Sequence, residues 1–354
     1  MKSYFIFAWA LLMLGIDASA QVHSRQRSDE KTFPAPFVHD PVMAVENGRT
    51  YLFATGMGID ELSSADGVNF KVDGSVLKNI PKWTRDSVPG FDKHVWAPDI
   101  IRYHGKWYMA YSCSTFGKNT SVIGLLSKDR LVDKDGWKDE GCIISSRGGR
   151  DDWNAIDPNI AIDDKDHPWL VFGSFWDGIQ LVKLDNTLHV EKGERPRTIA
   201  RRFAFNTREV PESEGGPKKL TPGNYSLNAG QNAIEAPFIF KHHGYYYLFV
   251  SWDYCCQGMK STYRVVVGRS KNIEGPYLDN RGIDMLDGGG VPFIEGDKKE
   301  FEAAGHCAAY TIGGKDIFIC HGYSVALDGA SVLVKKEIKW DDQGWPTLSS
   351  CEKK

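Results

Sequence analysis

Residues 233–251 read AIEAPFIFKHHGYYYLFVS. A polar signature, Glu235-Ala236-Pro237, heads an apolar run; a His-Gly pair follows, and then a second run rich in aromatic residues. That is the pattern of two antiparallel strands around a tight turn. The plan recurs along the chain: Asn47-Gly48 introduces TYLFAT, His104-Gly105 introduces KWYMAYS, Asp166-His167-Pro168 introduces WLVFGS, and Gly313-Gly314 introduces KDIFICH. Upstream of these runs stand His39-Asp40-Pro41, Ala97-Pro98-Asp99, Ile156-Asp157-Pro158 and Gly305-His306-Cys307. From Asp40 the successive steps to Asp99, Asp157, Glu235 and His306 are 59, 58, 78 and 71 residues. Strand-rich, helix-poor repeats of that size read as propeller blades, each a small antiparallel sheet. The fold class is therefore all-β, a five-bladed β-propeller spanning residues 33–354.

Composition agrees with this reading and excludes others. With 43 Lys+Arg against 46 Asp+Glu the formal charge is −3, so no basic nucleic-acid footprint exists. The 11 Trp, 14 Tyr and 18 Phe, with 36 Gly and 16 Pro, suit short strands and many turns better than a helical bundle. Lys2, the apolar run Phe5 to Ile16 and the small residues Ala18-Ser19-Ala20 form a secretory signal peptide over 1–20, followed by a polar leader over 21–32. We expect a secreted or periplasmic protein. No Cys follows the cleavage region and no later segment reaches about 18 apolar residues, so no membrane anchor is expected. The seven cysteines, Cys113, Cys142, Cys255, Cys256, Cys307, Cys320 and Cys351, are odd in number and lack a CxxC pair. They read as buried thiols with one or two bridges, not as a zinc site. A monomer is expected.

Propeller geometry turns the five signatures into one place. The innermost strand of every blade lines the central channel, so equivalent positions of distant repeats converge. Asp40, Asp99, Asp157, Glu235 and His306 would form a polar ring at one mouth. A single acid beside Pro merely starts a strand or sets a turn; acids or His in all five repeats argue for a site.

At these residues the chain resembles the family 43 glycoside hydrolases, five-bladed propellers that act on arabinose- and xylose-containing polysaccharides. The resemblance runs from Val38 to about Leu348. It rests on HDP with GIDELSSADGVNF, HVWAPDI from His94, WNAIDPNI from Trp153, GSFWDGI from Gly173, AIEAPF from Ala233, YYYLFVSWDYCCQG from Tyr245 and GRSKNIEGPY from Gly268. Within the family the WAPDI, FW and CC-containing strings most resemble endo-arabinanases, which cut the α-1,5-linked L-arabinofuranose backbone of arabinan. The implied partner is arabinan or a related plant cell-wall polysaccharide. Exo-acting arabinofuranosidase or β-xylosidase action on the same fold, and a secreted glycan-binding propeller without catalysis, are the alternatives. The charged insert Thr198 to Ala229 is the candidate for a loop that blocks one end of the groove.

The resemblance implies roles. Asp40 corresponds to the general base, Glu235 to the general acid and Asp157 to the acid that tunes it. Inverting hydrolysis needs such a pair, its carboxyls about 6.5 to 9.5 Å apart to admit a water, and a charged Asp157 beside Glu235 would keep the latter protonated by like-charge repulsion. Trp96, Asp99, Asn154, Ser174 and Trp176 are implied substrate-binding residues. His306 is implied to hold a metal, calcium with water making up most of its shell. Two departures stand out. Ala303-Ala304-Gly305-His306-Cys307-Ala308-Ala309 replaces a GPGHNS-like string, and Lys335-Lys336 stands where relatives carry Arg. Lys lacks the bidentate fork of Arg.

Overall fold

The dipeptides that punctuate the repeats are turns of one kind. Asn47 and Gly48 have φ of 51° and 77°, His104 and Gly105 45° and 84°, His243 and Gly244 44° and 75°, Gly313 and Gly314 58° and 77°. Two consecutive residues with positive φ make the two-residue hairpin turn whose twist matches that of the strands it joins. The third repeat, with Pro168 in place of the second turn residue, closes through a longer turn in which Asp163 Oδ1 accepts the N–H groups of Lys165 and His167.

The computed structural model describes residues 35–133, 136–203 and 232–349. The expected signal peptide, the polar leader, most of the insert and Cys351 lie outside the described residues. Thr198 to Ala200, the start of that insert, belongs to a strand.

Five sheets follow one another in chain order. The first contains β1 (Val42–Glu46), β2 (Arg49–Ala54), β4 (Asp60–Ser64) and β5 (Lys71–Ser75). The two-residue β3 (Gly56–Met57) leaves it to join the second, made of β6 (His94–Tyr103), β7 (Lys106–Cys113), β8 (Ser121–Lys128) and β9 (Lys138–Ser146). The third has β10 (Asn159–Ile162), β11 (Pro168–Phe172), β12 (Ile179–Lys183) and β13 (Arg197–Ala200). The fourth has β14 (Ile234–His242), β15 (Tyr245–Trp252), β16 (Arg264–Ser270) and β17 (Val291–Ile294). The fifth has β18 (Phe301–Ile312), β19 (Lys315–Ser324), β20 (Ala330–Trp340) and β21 (Pro346–Leu348). All pairs are antiparallel, and the arrangement is the five-bladed propeller expected from the repeat. The short helix α1 (Lys82–Ser87) packs near β8.

Apolar side chains fill the layers between blades. Ala110, Ile123 and Leu125 of the second blade meet Ile160, Leu170 and Val182 of the third. Val171, Ile179 and Leu181 meet Leu248, Val250 and Val266 of the fourth. Both faces of a middle strand are thus covered, which is why β8 and β11 are buried at every position; β11 reads as an unbroken apolar run, and β8 carries one over Val122 to Leu126. One buried carboxylate also crosses a blade boundary: Glu46 accepts from Trp107 Nε1 at 2.7 Å and from the Leu131 N–H at 2.7 Å.

The ring closes at its N-terminal side. Phe37 bridges Val332 of β20, Val38 donates its N–H to Ser331 O, and Leu333 donates to Pro36 O. Val38, 1% exposed, pins this junction in the core just ahead of the first signature. Val38→Asp should therefore cost at least about 3 kcal/mol by burying an unpaired carboxyl, whereas Val45→Asp, at a 36% exposed position of β1, should leave the melting temperature nearly unchanged. Equal melting temperatures for the two variants in calorimetry would contradict this account of closure.

Candidate active site

Each inner strand enters the axis through one residue in the left-handed region: Asp40 (φ 53°), Ala97 (38°), Asp157 (56°), Ala236 (53°) and His306 (50°). In four blades Pro follows, at Pro41, Pro98, Pro158 and Pro237. These are the true equivalents. The expected ring matches at Asp40, Asp157 and His306, but Asp99 lies two residues beyond the kink of its blade and Glu235 one residue before it.

The kink strands one backbone N–H, and the preceding blade satisfies it. Asp40 N–H donates to His321 Nδ1 (3.1 Å), Ala97 N–H to Thr55 Oγ1 (2.8 Å), Asp157 N–H to Ser112 Oγ (3.1 Å) and His306 N–H to Ser251 Oγ (2.9 Å). The residue one place before the kink, which faces the second strand of its own blade, is His39, Trp96, Ile156, Glu235 or Gly305. Glu235 thereby sits beside the kink that carries Asp157, whose Oδ2 accepts the Ala236 N–H at 3.2 Å. At Gly305 a side chain is ruled out because the Tyr263 ring occupies the place of a Cβ.

Asp40 is 7% exposed and surrounded by donors. His39 Nδ1 lies 2.8 Å and His306 Nδ1 3.0 Å from Oδ1, and Thr55 donates its hydroxyl to Oδ2 at 2.5 Å. Burial alone would raise its pKa, yet His306 and then His39 hold the carboxyl well below the usual carboxylate range. Burial opposes charge on His306 as well, but the adjacent Asp40 carboxylate, helped by Asp157 and Glu235, pushes that imidazole up to about 9.

Glu235 goes the other way. Burial raises its pKa above the ordinary glutamate value, against hydrogen bonds from Ser174, whose hydroxyl donates to Oε2 at 2.7 Å, and from Tyr263. Asp157, 6% exposed, is driven well above its ordinary value, first by burial and then by the charges of Glu235 and Asp40, with His306 opposing. The leading cause at Glu235 is thus enclosure, not the like-charge repulsion from Asp157 that the sequence reading expected.

The remaining expected residues are placed differently. Asp99, 3% exposed, accepts from Ile160 N–H at 2.7 Å and Asn159 Nδ2 at 3.2 Å, and so stitches β6 to β10 below the mouth; burial raises its pKa to about 6. Asn154, also 3% exposed, accepts the Ser121 hydroxyl at 2.6 Å. Ser174 faces Glu235, and Trp176, 6% exposed, is largely enclosed while its carbonyl accepts from Asn232 Nδ2. Only Trp96 of the five is half-buried, its indole N–H on His94 Nδ1 at 3.0 Å. Residues the sequence reading did not single out are His39, Thr55, Ser251, Tyr263 and His321. His39 opens one quoted motif and His321 ends another, but nothing in a string says that both point at one carboxylate.

For a metal, His306 has Nδ1 on Asp40, which leaves Nε2 as its donor. A carboxylate on the far nitrogen is the usual orientation of a ligating imidazole. The ligand atoms of His39, Asp40 and His321 also lie within 4.8 Å of one another, but hydrogen bonds already pair them.

The family model Glycosyl hydrolases family 43 matches residues 33–346. The chain is 42% identical over 320 residues to an extracellular exo-α-(1→5)-L-arabinofuranosidase of Cellvibrio japonicus, covering 89% of this chain and 87% of that one. It is 37% identical over 317 residues to extracellular endo-α-(1→5)-L-arabinanase 1 of Bacillus subtilis, covering 88% and 87%. Among solved structures, an exo-1,5-α-L-arabinanase from a bovine ruminal metagenomic library superposes with a TM-score of 0.80 at 45% identity, over 90% of this chain and 98% of that one.

The Ser174 contact predicts a measurable shift. Its hydroxyl favours the ionised form of Glu235, so Ser174→Ala should move the midpoint of the Glu235 carboxyl carbon resonance upward by about one pH unit. A midpoint that stays or falls contradicts the contact.

Proposed function

The chain belongs to glycosyl hydrolase family 43, and from that membership we propose that it hydrolyses α-1,5-linked L-arabinofuranosidic bonds of arabinan, with inversion, as an exported enzyme. The observation that carries the reading is the opposite setting of two enclosed carboxyls. Asp40 is held ionised by its imidazole and hydroxyl partners, and Glu235 is held toward its protonated form by burial. Glycoside hydrolysis asks for that division of labour.

In this mechanism Glu235 gives its proton to the leaving oxygen as the glycosidic bond breaks. Asp40 takes a proton from the water that attacks the opposite face of the ring, its carboxylate fixed in direction by His39, His306 and Thr55. Asp157 shares the proton load with Glu235 and keeps the acid's second ionisation high. The half-buried Trp96 supplies an indole face for a furanose. A glycan-binding propeller without catalysis has no use for two enclosed carboxyls in opposite states.

Internal cleavage is the reading favoured by the sequence strings. Release from a chain end is the second reading, supported by the exo names of the relatives at 42% and 45% identity. Export is supported by the word extracellular in the names of both curated relatives. On linear arabinan, an early ladder of mixed oligomers indicates internal cleavage and one short product from the start indicates end release; no product from arabinan of any form refutes the proposal. In the same assay Asp157→Asn should move the alkaline limb of kcat to lower pH, because without the second carboxyl Glu235 loses its proton more readily. An unmoved limb refutes the role given to Asp157.

We also propose that His306, through Nε2, holds a calcium ion completed mostly by water. Bound there, calcium would add fixed positive charge beside the carboxyls. One imidazole and water make a weak site, so a chelator should lower activity and excess calcium should restore it. Activity and melting temperature that both ignore the chelator refute the assignment.

A further inference from the structure

The loop from Asp253 to Tyr263 joins β15 to β16 and contains the adjacent, disulfide-bonded Cys255 and Cys256. It is packed against the machinery on two sides. Cys255 lies on the small cluster of Tyr263, Ala303 and Tyr323, and Tyr263 is a hydrogen-bond partner of Glu235. Cys256 donates its N–H to Tyr323 Oη at 2.7 Å, and its Sγ is 3.8 Å from His39 Nε2.

Counting donors at Tyr323 gives this loop a role. Tyr323 Oη has two lone pairs and one hydrogen. One lone pair takes the Cys256 N–H. The other faces Ser261, a hydrogen-bond partner of the phenol whose hydroxyl also accepts from the Gln257 N–H at 3.1 Å; with Ser261 donating, both lone pairs of Tyr323 are used. The phenolic hydrogen then points to His39 Nε2 at 3.0 Å, a direction that agrees with the Asp40 carboxylate, an acceptor only, lying 2.8 Å from His39 Nδ1. With Nε2 an acceptor, the ring proton of His39 sits on Nδ1, 2.8 Å from Asp40 Oδ1. His39 is further held face to face with His321, centroids 3.9 Å apart at 26°, and His321 in turn accepts the Asp40 N–H.

We propose that the Cys255–Cys256 loop is a positioning device for the base: it fixes the acceptor count of Tyr323, which sets the tautomer of His39 and thereby aims the Asp40 carboxylate. The assignment deepens the hydrolase reading and rests on it for its kinetic consequence, but not for its spectroscopic one. Opening the ring with a water-soluble phosphine cleaves the S–S bond and yields two thiols; the phosphine is oxidised to its oxide with oxygen from water, and the water's two protons go to the two thiolates. The freed loop is then no longer held to present both donors to Tyr323.

The test uses the full chain, oxidised and phosphine-reduced, together with Cys255→Ser/Cys256→Ser, Tyr323→Phe and their combination. Imidazole nitrogen NMR reads the tautomer of His39 directly. In the oxidised protein it should show Nδ1–H; in the reduced protein and in each variant the Nε2–H form should grow, while exposed His104 serves as an unmoved reference. On arabinan, kcat should fall about tenfold with KM changed less than about twofold, and adding the Cys pair to Tyr323→Phe should cost nothing more. Should the Ser pair fail to fold, the reduced wild-type chain carries the same test. An unchanged His39 spectrum with two new thiols titrated overturns the proposal. A KM that rises as much as kcat falls also overturns it and makes the loop a substrate wall. If the oxidised protein leaves arabinan untouched, the hydrolase reading fails while the nitrogen spectrum still decides the relay.

Discussion

Five inner strands each turn into the axis through a residue with positive φ, and each such kink leaves a backbone N–H without a ladder partner. A buried amide cannot be left unpaired at small cost. The neighbouring blade must supply the acceptor, and it does so from its second strand through Thr55, Ser112, Ser251 or His321 at four kinks and through Asp157 at the fifth. One local requirement therefore locks every blade to the next. Pro after four of the kinks removes a second N–H that would otherwise need a partner there.

The same requirement concentrates polar groups where water is scarce, and so decides the electrostatics. Asp40, Asp157 and Glu235 share an enclosed space with His306, and their charges cannot all be expressed together. The imidazoles lie on the Asp40 side, within 3.0 Å for His39 and His306. Negative charge settles on Asp40, and the other two carboxyls are pressed toward their protonated forms. Distinct roles for chemically similar groups arise from where the cations and donors stand.

The fold was legible because repetition is a strong signal. Turn dipeptides such as Asn47-Gly48 and His243-Gly244 announce hairpins through their conformational needs alone, and apolar runs such as WLVFGS announce strands covered on both faces. The register of the signatures was only half legible. Aligning acids placed Asp99 with Asp40, whereas the backbone aligns the kinks, and Ala97 carries the second one. A positive φ at Ala has no compositional mark, since Asp, Asn and Gly are the residues that advertise it. Asp99, two places further along, turns to the β10 backbone instead. Likewise no string contains the bonds that Ser174 makes to Glu235 and Asn154 receives from Ser121, or the enclosure of Trp176. His39, Thr55, His321 and Tyr263 come from three different blades, and their convergence is a property of closure.

Blade three shows one variation of the interlock, at the acid pair. The position that carries Thr55, Ser112, Ser251 or His321 elsewhere is Gly173 here, and a Cβ there would meet Gly178 O at 2.5 Å. With no side-chain acceptor available, the Ala236 N–H finds Asp157 Oδ2. Asp157 is thereby drawn across the blade boundary to the residue following Glu235. The next residue, Ser174, enters the turn that continues through Phe175 and Trp176 at φ of 55° and 41°, and its hydroxyl reaches Glu235. A bulky residue at positive φ is a costly conformation, and two in succession persist here because Phe175 N–H bonds Ile234 O and the Trp176 carbonyl accepts from Asn232. The absence of a side chain at Gly173 thus leaves the acceptor role to Asp157, whose carboxyl is placed beside the residue that follows Glu235. The interlock is kept at this blade, but its acceptor is a carboxylate of the inner strand and not a side chain at the end of the second.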